Sequence, residues 1–233
     1  MQTEFRHEYK YLCTGDQLTI QRRRLEPLLQ LDSHAQGGSY LIRSLYFDTP
    51  DNACFYENED GVDPRSKYRL RIYDCREKPA TLERKLKCRG MTHKDAAPLT
   101  REQADLLLSG RIPPPEEGMS PLLTRMLTDM RLRLMRPAVI VQYERIPFVY
   151  PAGNVRITLD CNLASSQAFG RFFSPDIPLR RVLPAGQGIL EVKWDQFLPS
   201  YIYSSLQLEG MQWISFSKYY LCRKYNIHGG AKS

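Results

Sequence analysis

Hydrophobic and polar residues alternate strictly along several short stretches of the chain. In KYRLRIYD, Leu70 and Ile72 interleave with Arg69 and Arg71; in TLERKLK, Leu82 and Leu86 interleave with Glu83, Lys85 and Lys87. ILEVKW repeats the pattern, with Leu190 and Val192 set between Glu191 and Lys193. Period two places residues i and i+2 on one face of a strand, so each stretch predicts a strand with one apolar and one charged face. Further strands are predicted at EFRHEYKYL, at the β-branched and aromatic run YLIRSLYFDT, and at about 138–149 and 154–161, with a weakly marked one at 91–96. Helices are predicted where the period changes. Thr14 with Gln17 and Thr100 with Gln103 have capping-box spacing ahead of LTIQRRRLEPLLQL, interrupted near Pro27, and REQADLLLS, stopped at Gly110. Ser120 followed by Pro121 opens LLTRMLTDMRLRL, which Pro137 ends, and ISFSKYYLCRKYNI predicts a last helix from near Ser215. Residues 50–66, HAQGGS, IPPPEEGM and SSQAFGRFFSPDIP carry the breakers of connections.

One charged strand face is ordinarily a solvated face. Repetition changes that reading, because strands sharing one sheet merge their stripes into a continuous cationic surface backed by an apolar one. About eight strands can close into a barrel whose interior admits side chains or one narrow ligand. The expected fold is therefore α+β, an antiparallel eight-stranded β-barrel with flanking helices and an interior lined by cations. No internal repeat or low-complexity linker divides the chain, and 113–118 is too short to separate domains, so residues 1–233 are expected to form one domain.

Thirty-three Lys and Arg against 26 Asp and Glu give a formal charge of +7, which calls for an anionic partner: nucleic acid, a phosphorylated metabolite or a membrane surface. The six cysteines are widely spaced without a CxxC pair, and the four histidines form no HExxH, which argues against zinc and for reduced thiols. No apolar run reaches the roughly 20 residues that span a bilayer, and the N-terminus lacks a signal-like apolar stretch, so a soluble, cytoplasmic chain without a membrane segment is expected. Nucleic acid is disfavoured because the aromatics do not interleave with the basic stripes as a stacking platform requires.

Glycine-rich phosphate loops, the kinase motif set and the GxSxG elbow are all missing. Phosphate chemistry would have to use side-chain cations, Arg as a planar fork and Lys as a point charge. EYKY, SLYFDT, KYRLRIY, LERKLK, QYERIPF, VRITLD, ILEVKW and SKYY follow one another in an order that resembles the VTC domain, from about residue 4 to 226. That domain is the polyphosphate polymerase module of the vacuolar transporter chaperone complex and belongs to the triphosphate tunnel metalloenzyme superfamily. The resemblance implies that Lys10, Arg69, Arg71, Lys85, Arg145, Arg156 and Lys218 are catalytic cations holding triphosphate and product, with Lys94 a further one and Tyr143 a tunnel tyrosine. It implies Glu191 as ligand of Mn2+ or Mg2+. Lys87, Lys193, Glu8 and Glu83 share the tunnel-facing parity; for Glu8 and Glu83, balancing a neighbouring cation competes with binding metal.

The hydrolase and cyclase branches of the superfamily open with Glu-x-Glu-x-Lys, whereas Arg6, Glu8 and Lys10 stand here. Fewer carboxylates make a poorer site for several metals and for water activation, shifting weight from hydrolysis to transfer between phosphates. The expected activity is metal-dependent transfer of the γ-phosphoryl group of ATP onto inorganic polyphosphate. A tripolyphosphatase or nucleoside triphosphatase and a non-catalytic polyphosphate-binding module are the alternatives.

Overall fold

A computed structural model describes residues 6–35, 37–75, 79–215 and 217–228; the side chains of residues 225, 226 and 228 are not part of the description. Eight strands of seven residues or more carry the architecture: β1 (His7–Cys13), β3 (Tyr40–Asp48), β4 (Arg65–Tyr73), β5 (Thr81–Cys88), β6 (Met91–Pro98), β7 (Arg136–Tyr150), β8 (Val155–Ser166) and β10 (Gly188–Trp194). Three two-residue strands, β2 (Gln30–Leu31), β9 (Arg180–Arg181) and β11 (Gln212–Trp213), attach to them. The sheet runs β11-β1-β10-β8-β7-β3-β4-β5-β6, with β2 on β7 and β9 on β8, so its main path has nine strands where eight were expected, the ninth being the short β11. Every pairing is antiparallel.

The sheet curls until the start of β1 reaches β6. Arg6, just before β1, and Thr92 in β6 exchange backbone hydrogen bonds of 3.1 and 3.3 Å, an isolated bridge that joins the two sides. Gly188 lets β10 approach β8 closely at the start of this wall: a Cβ there would stand 2.5 Å from the Asp160 carbonyl oxygen.

Six α-helices flank the sheet: α1 (Gly15–Leu25), α2 (Ala53–Glu59), α3 (Arg101–Leu108), α4 (Pro121–Leu132), α5 (Ser200–Leu206) and α6 (Lys218–His228). Both predicted capping boxes are formed, on α1 and α3, and Ser120 caps α4 with Pro121 in its first turn. The apolar stripes pack outward as expected. Leu70, Ile72 and Leu82 join a large core with Leu107, Met126 and Leu127 of α3 and α4, while Leu190 and Val192 join a second core with Leu18 and Leu25 of α1 and Ile202 of α5.

Two helices were hidden from the sequence reading. α2 lies inside the connection assigned to 50–66; it escapes the sequence pattern because its N-cap residue Asn52 takes a left-handed conformation and makes no side-chain cap. The carboxylate of Asp48, at the end of β3, accepts instead from the backbone N–H groups of Thr49, Cys54 and Phe55, and Thr49 Oγ1 accepts from that of Ala53, so the cap arrives from the end of the preceding strand. The Tyr219 hydroxyl donates to the same carboxylate and ties α6 to α2 and β3. α5 likewise follows Pro199 without a side-chain cap. α6 begins at Lys218, a turn later than predicted, and packs on α2, β7 and β8.

Candidate functional site

Because side chains alternate, register decides which charges meet inside. β4 and β5 pair Arg65 with Lys87, Lys67 with Lys85 and Arg69 with Glu83; β1 and β10 pair Glu8 with Lys193 and Lys10 with Glu191. These faces enclose a cavity of about 140 Å3 whose lining holds ten lysines and arginines and two glutamates. Lys10, Arg69, Arg71, Lys85, Lys87, Arg145, Lys193 and Lys218 line it, as do Tyr143, Glu8 and Glu191. The structure thus gathers these eleven candidates in one place.

Seven of the ten lining cations lie in three carboxylate-centred groups. Glu83, 2% exposed, accepts from Arg69 Nε at 2.7 Å and lies 2.6 Å from Arg69 Nη2, 3.6 Å from Arg71 Nη1 and 3.3 Å from Lys94 Nζ. Arg69 also donates to the Tyr46 hydroxyl, and Arg71 to Ser44 Oγ. Glu8 meets Lys85 at 2.6 Å, Lys10 at 3.3 Å and Lys193 at 3.4 Å. Glu191 meets Lys218 at 2.5 Å, Lys193 at 2.7 Å and Arg145 at 3.4 Å. Behind it Asp160 grips Arg145 through a fork of 2.6 and 2.7 Å and reaches Lys218 at 2.5 Å. The Tyr143 ring lies under both Arg145 and Lys218.

Two candidates stand apart. Arg156 shares the inward parity of β8 but turns to the carboxylate of Asp32 and does not line the cavity. Lys94 pairs with Glu83 from the weakly marked strand, its side chain 52% exposed, and also lies outside the lining. Conversely, sequence reasoning passed over Arg65, Lys67, Asn58, Trp213 and Ser217, which do line it. The signal for Lys67 was present, since it precedes Arg69 by one pleat. Asn58 and Ser217 come from α2 and from the segment before α6, and no local pattern announces them.

Burial alone would raise the Glu83 and Asp160 carboxyls; Arg69, Arg71 and Lys94 in one case, and Arg145 and Lys218 in the other, outweigh it and hold both below the usual carboxylate range. A carboxylate depressed in the folded state stabilises above its unfolded pKa, and that contribution is lost as pH falls toward the folded value. Lys67 and Lys85 have the opposite sign. Burial first, with Arg65 beside Lys67 and Lys10 beside Lys85, pushes both ammonium groups down to about 7. The unfolded chain therefore binds these protons more readily up to the ordinary lysine range, about 10.4, and they make stability rise with pH from about 7. Thermal unfolding without phosphate is expected to give a midpoint that falls below about pH 4 and climbs from pH 7 toward 8, before the thiols of Cys13, Cys54, Cys161 and Cys222, all pushed up by burial, act in the other direction; a midpoint falling over pH 7 to 8 would contradict the burial of Lys67 and Lys85.

Glu8 and Glu191 offer hard oxygen donors, and both are held ionised well below the usual range, Lys85 and Lys193 respectively leading the cations that overcome burial. Among the described residues no group of three or more His, Cys, Asp or Glu is arranged to hold a metal. Two carboxylates are the kind of donor that a hard divalent cation takes, and they are too few for a cage made by protein alone.

A curled antiparallel sheet with an inward cationic face is the triphosphate tunnel fold. A candidate adenylate cyclase from Bacillus halodurans shares it at TM-score 0.52 and 18% identity over 90% of both chains. A candidate adenylyl cyclase from Hippeastrum with a dominant triphosphatase activity shares it at TM-score 0.55 and 15% identity over 95% of both chains. The sequence profile of the VTC domain matches residues 5–226, and the chain belongs to the VTC domain family. Comparison with curated proteins gives no match. Among the described residues no helix is long and apolar enough to cross a membrane.

Proposed function

We propose that the chain is a polyphosphate polymerase, in which a terminal polyphosphate oxygen attacks the γ-phosphorus of ATP, the bond from that phosphorus to the β–γ bridging oxygen breaks, and ADP leaves with the electron pair. The acceptor phosphate, with a second pKa near ~6, is already ionised at neutral pH and needs no strong base. Catalysis then rests on positioning and charge. Arg69 and Arg71 present guanidinium groups to the phosphates from β4; Arg145, Lys218 and Lys10 close around them from β7, α6 and β1. Glu191 and Glu8 would hold a divalent ion, which neutralises phosphate oxygens when bound. ATP and polyphosphate are the expected partners and the cytoplasm the expected location.

The carrying observation is the state of the two lining carboxylates. Glu8 and Glu191 are each engaged by three cations and held strongly ionised, so neither is a competent base for activating water. That favours transfer to an ionised phosphate over hydrolysis. Incubation of the purified chain with ATP and Mn2+ or Mg2+ tests the reading: long polyphosphate on a gel supports it, orthophosphate without chains makes the protein a triphosphatase, and binding without turnover makes it a polyphosphate-binding module.

A row of cations also has a thermodynamic signature. Tripolyphosphate is expected to bind more tightly than orthophosphate, and its affinity to fall as salt rises, because several ionic contacts are screened together. Calorimetric titration at two salt concentrations checks this; equal binding of both anions, or indifference to salt, would exclude a linear polyanion site.

A further inference from the structure

The cavity cations differ in what neutralises them. Arg69, Arg71, Lys10, Lys85, Arg145, Lys193 and Lys218 all touch carboxylates. Lys67 is only 9% exposed and lines the same cavity, yet its hydrogen-bond partners are neutral: Asn58 Oδ1 at 2.8 Å and Ser217 Oγ at 3.2 Å, with the Tyr219 ring 4.7 Å beneath the ammonium.

The charges around it do not supply a counter-ion. Arg65 on its own strand and Lys85 on β5 repel it, while the Cys54 thiol and the Asp48 carboxylate favour its charge. Burial pushes the Cys54 thiol far up, so it is neutral at physiological pH. Asp48 is committed to the N-terminus of α2 and to the Tyr219 hydroxyl. A buried ammonium left in this condition is unfavourable until an anion arrives.

Its position says which anion. Alternate residues on a strand are separated by roughly 7 Å, and Lys67 lies one such step from Arg69, toward the end where Arg65 and Lys87 face each other. We propose that Lys67, steadied by Asn58 and Ser217, is an additional phosphate subsite that a chain of three or more phosphates reaches and a single phosphate seated at Arg69 and Arg71 does not. This rests on the cavity being a polyphosphate site and is independent of whether the chemistry is transfer or hydrolysis. Arrival of the phosphate supplies the missing negative charge, raises the affinity of Lys67 for its proton from the depressed value near 7, and draws a proton from solvent.

Calorimetric titration of tripolyphosphate and orthophosphate at pH 7.5, in two buffers of different ionisation enthalpy, reads both affinity and proton uptake. Wild type is expected to take up protons with tripolyphosphate. Lys67→Gln, which retains an amide donor for Asn58 and Ser217, is expected to bind tripolyphosphate about tenfold or more weakly, to take up fewer protons, and to bind orthophosphate as wild type does. Lys67→Arg, charged at every pH used, is expected to keep tripolyphosphate affinity while losing part of the uptake. Equal tripolyphosphate affinity and uptake in wild type and Lys67→Gln would overturn the subsite, as would equal weakening of both anions. Failure of wild type to bind tripolyphosphate would overturn the polyphosphate reading of the whole cavity.

Discussion

Arg69→Ala is expected to lower turnover by roughly 100-fold or more, the usual effect of removing one group that meets charge developing in the transition state, and to weaken the fold as well. Removing one of several crowded like charges would by itself relieve repulsion. The structure reverses that expectation, because Arg69 is the closest partner of Glu83, which is 2% exposed. Breaking a buried pair from one side costs about 3–5 kcal/mol, since the remaining charge stays buried; Arg71 at 3.6 Å and Lys94 at 3.3 Å soften the loss toward the lower end. The double variant Arg69→Ala/Glu83→Gln separates the two effects. It is expected to recover much of the stability in chemical denaturation and none of the activity. Recovery of both would make Arg69 a purely structural partner of Glu83. Arg156→Ala is the matched comparison: its guanidinium pairs with Asp32 away from the cavity lining, so its effect on turnover is expected to be the smaller one.

Glu191→Gln is expected to abolish most metal-supported turnover, by roughly 100-fold or more, while tripolyphosphate binding persists or tightens. Gln keeps the size of the side chain but removes the negative charge a hard divalent cation requires. The same change releases Lys193, Lys218 and Arg145 from one shared carboxylate, leaving more uncompensated positive charge for phosphate. The fold is expected to survive, because Asp160 still holds Arg145 and Lys218, and Glu8 still holds Lys193. Initial rates across a Mn2+ titration, alongside calorimetry with tripolyphosphate, check both halves. An unchanged metal dependence would take Glu191 out of the metal site and leave Glu8 or Glu83 to be tested next.

The sequence made the walls of the cavity legible and left its ends obscure. Alternation is a local signal, so Arg69, Arg71, Lys85 and Lys193 could be assigned a face from a few neighbours, and antiparallel register then brought those faces together. Capping boxes are equally local, which is why α1 and α3 were found with their caps. What escaped depends on distant partners. α2 is capped by Asp48 across the turn from β3, and Ser217 reaches Lys67 across a separation of 150 residues. Arg156 illustrates the converse, a residue whose parity is right and whose guanidinium is nevertheless captured by Asp32, 124 residues away. The competing role weighed for Glu8 and Glu83, balance of neighbouring cations, is one that both side chains occupy.

The distribution of charge between cavity and exterior has a consequence for which anions the proposed site would admit. Ten lysines and arginines line the cavity against Glu8 and Glu191, with Glu83 and Asp160 close behind, a surplus of six in a chain whose total is +7. Outside the cavity the charges of the described residues consequently come close to cancelling. If the site takes phosphate chains as proposed, a thin, flexible polyanion would be drawn toward the opening, where low-dielectric walls concentrate the field, whereas a duplex or a lipid headgroup layer would be too broad to enter. Selectivity among anions would then be set first by girth, before any individual contact is made.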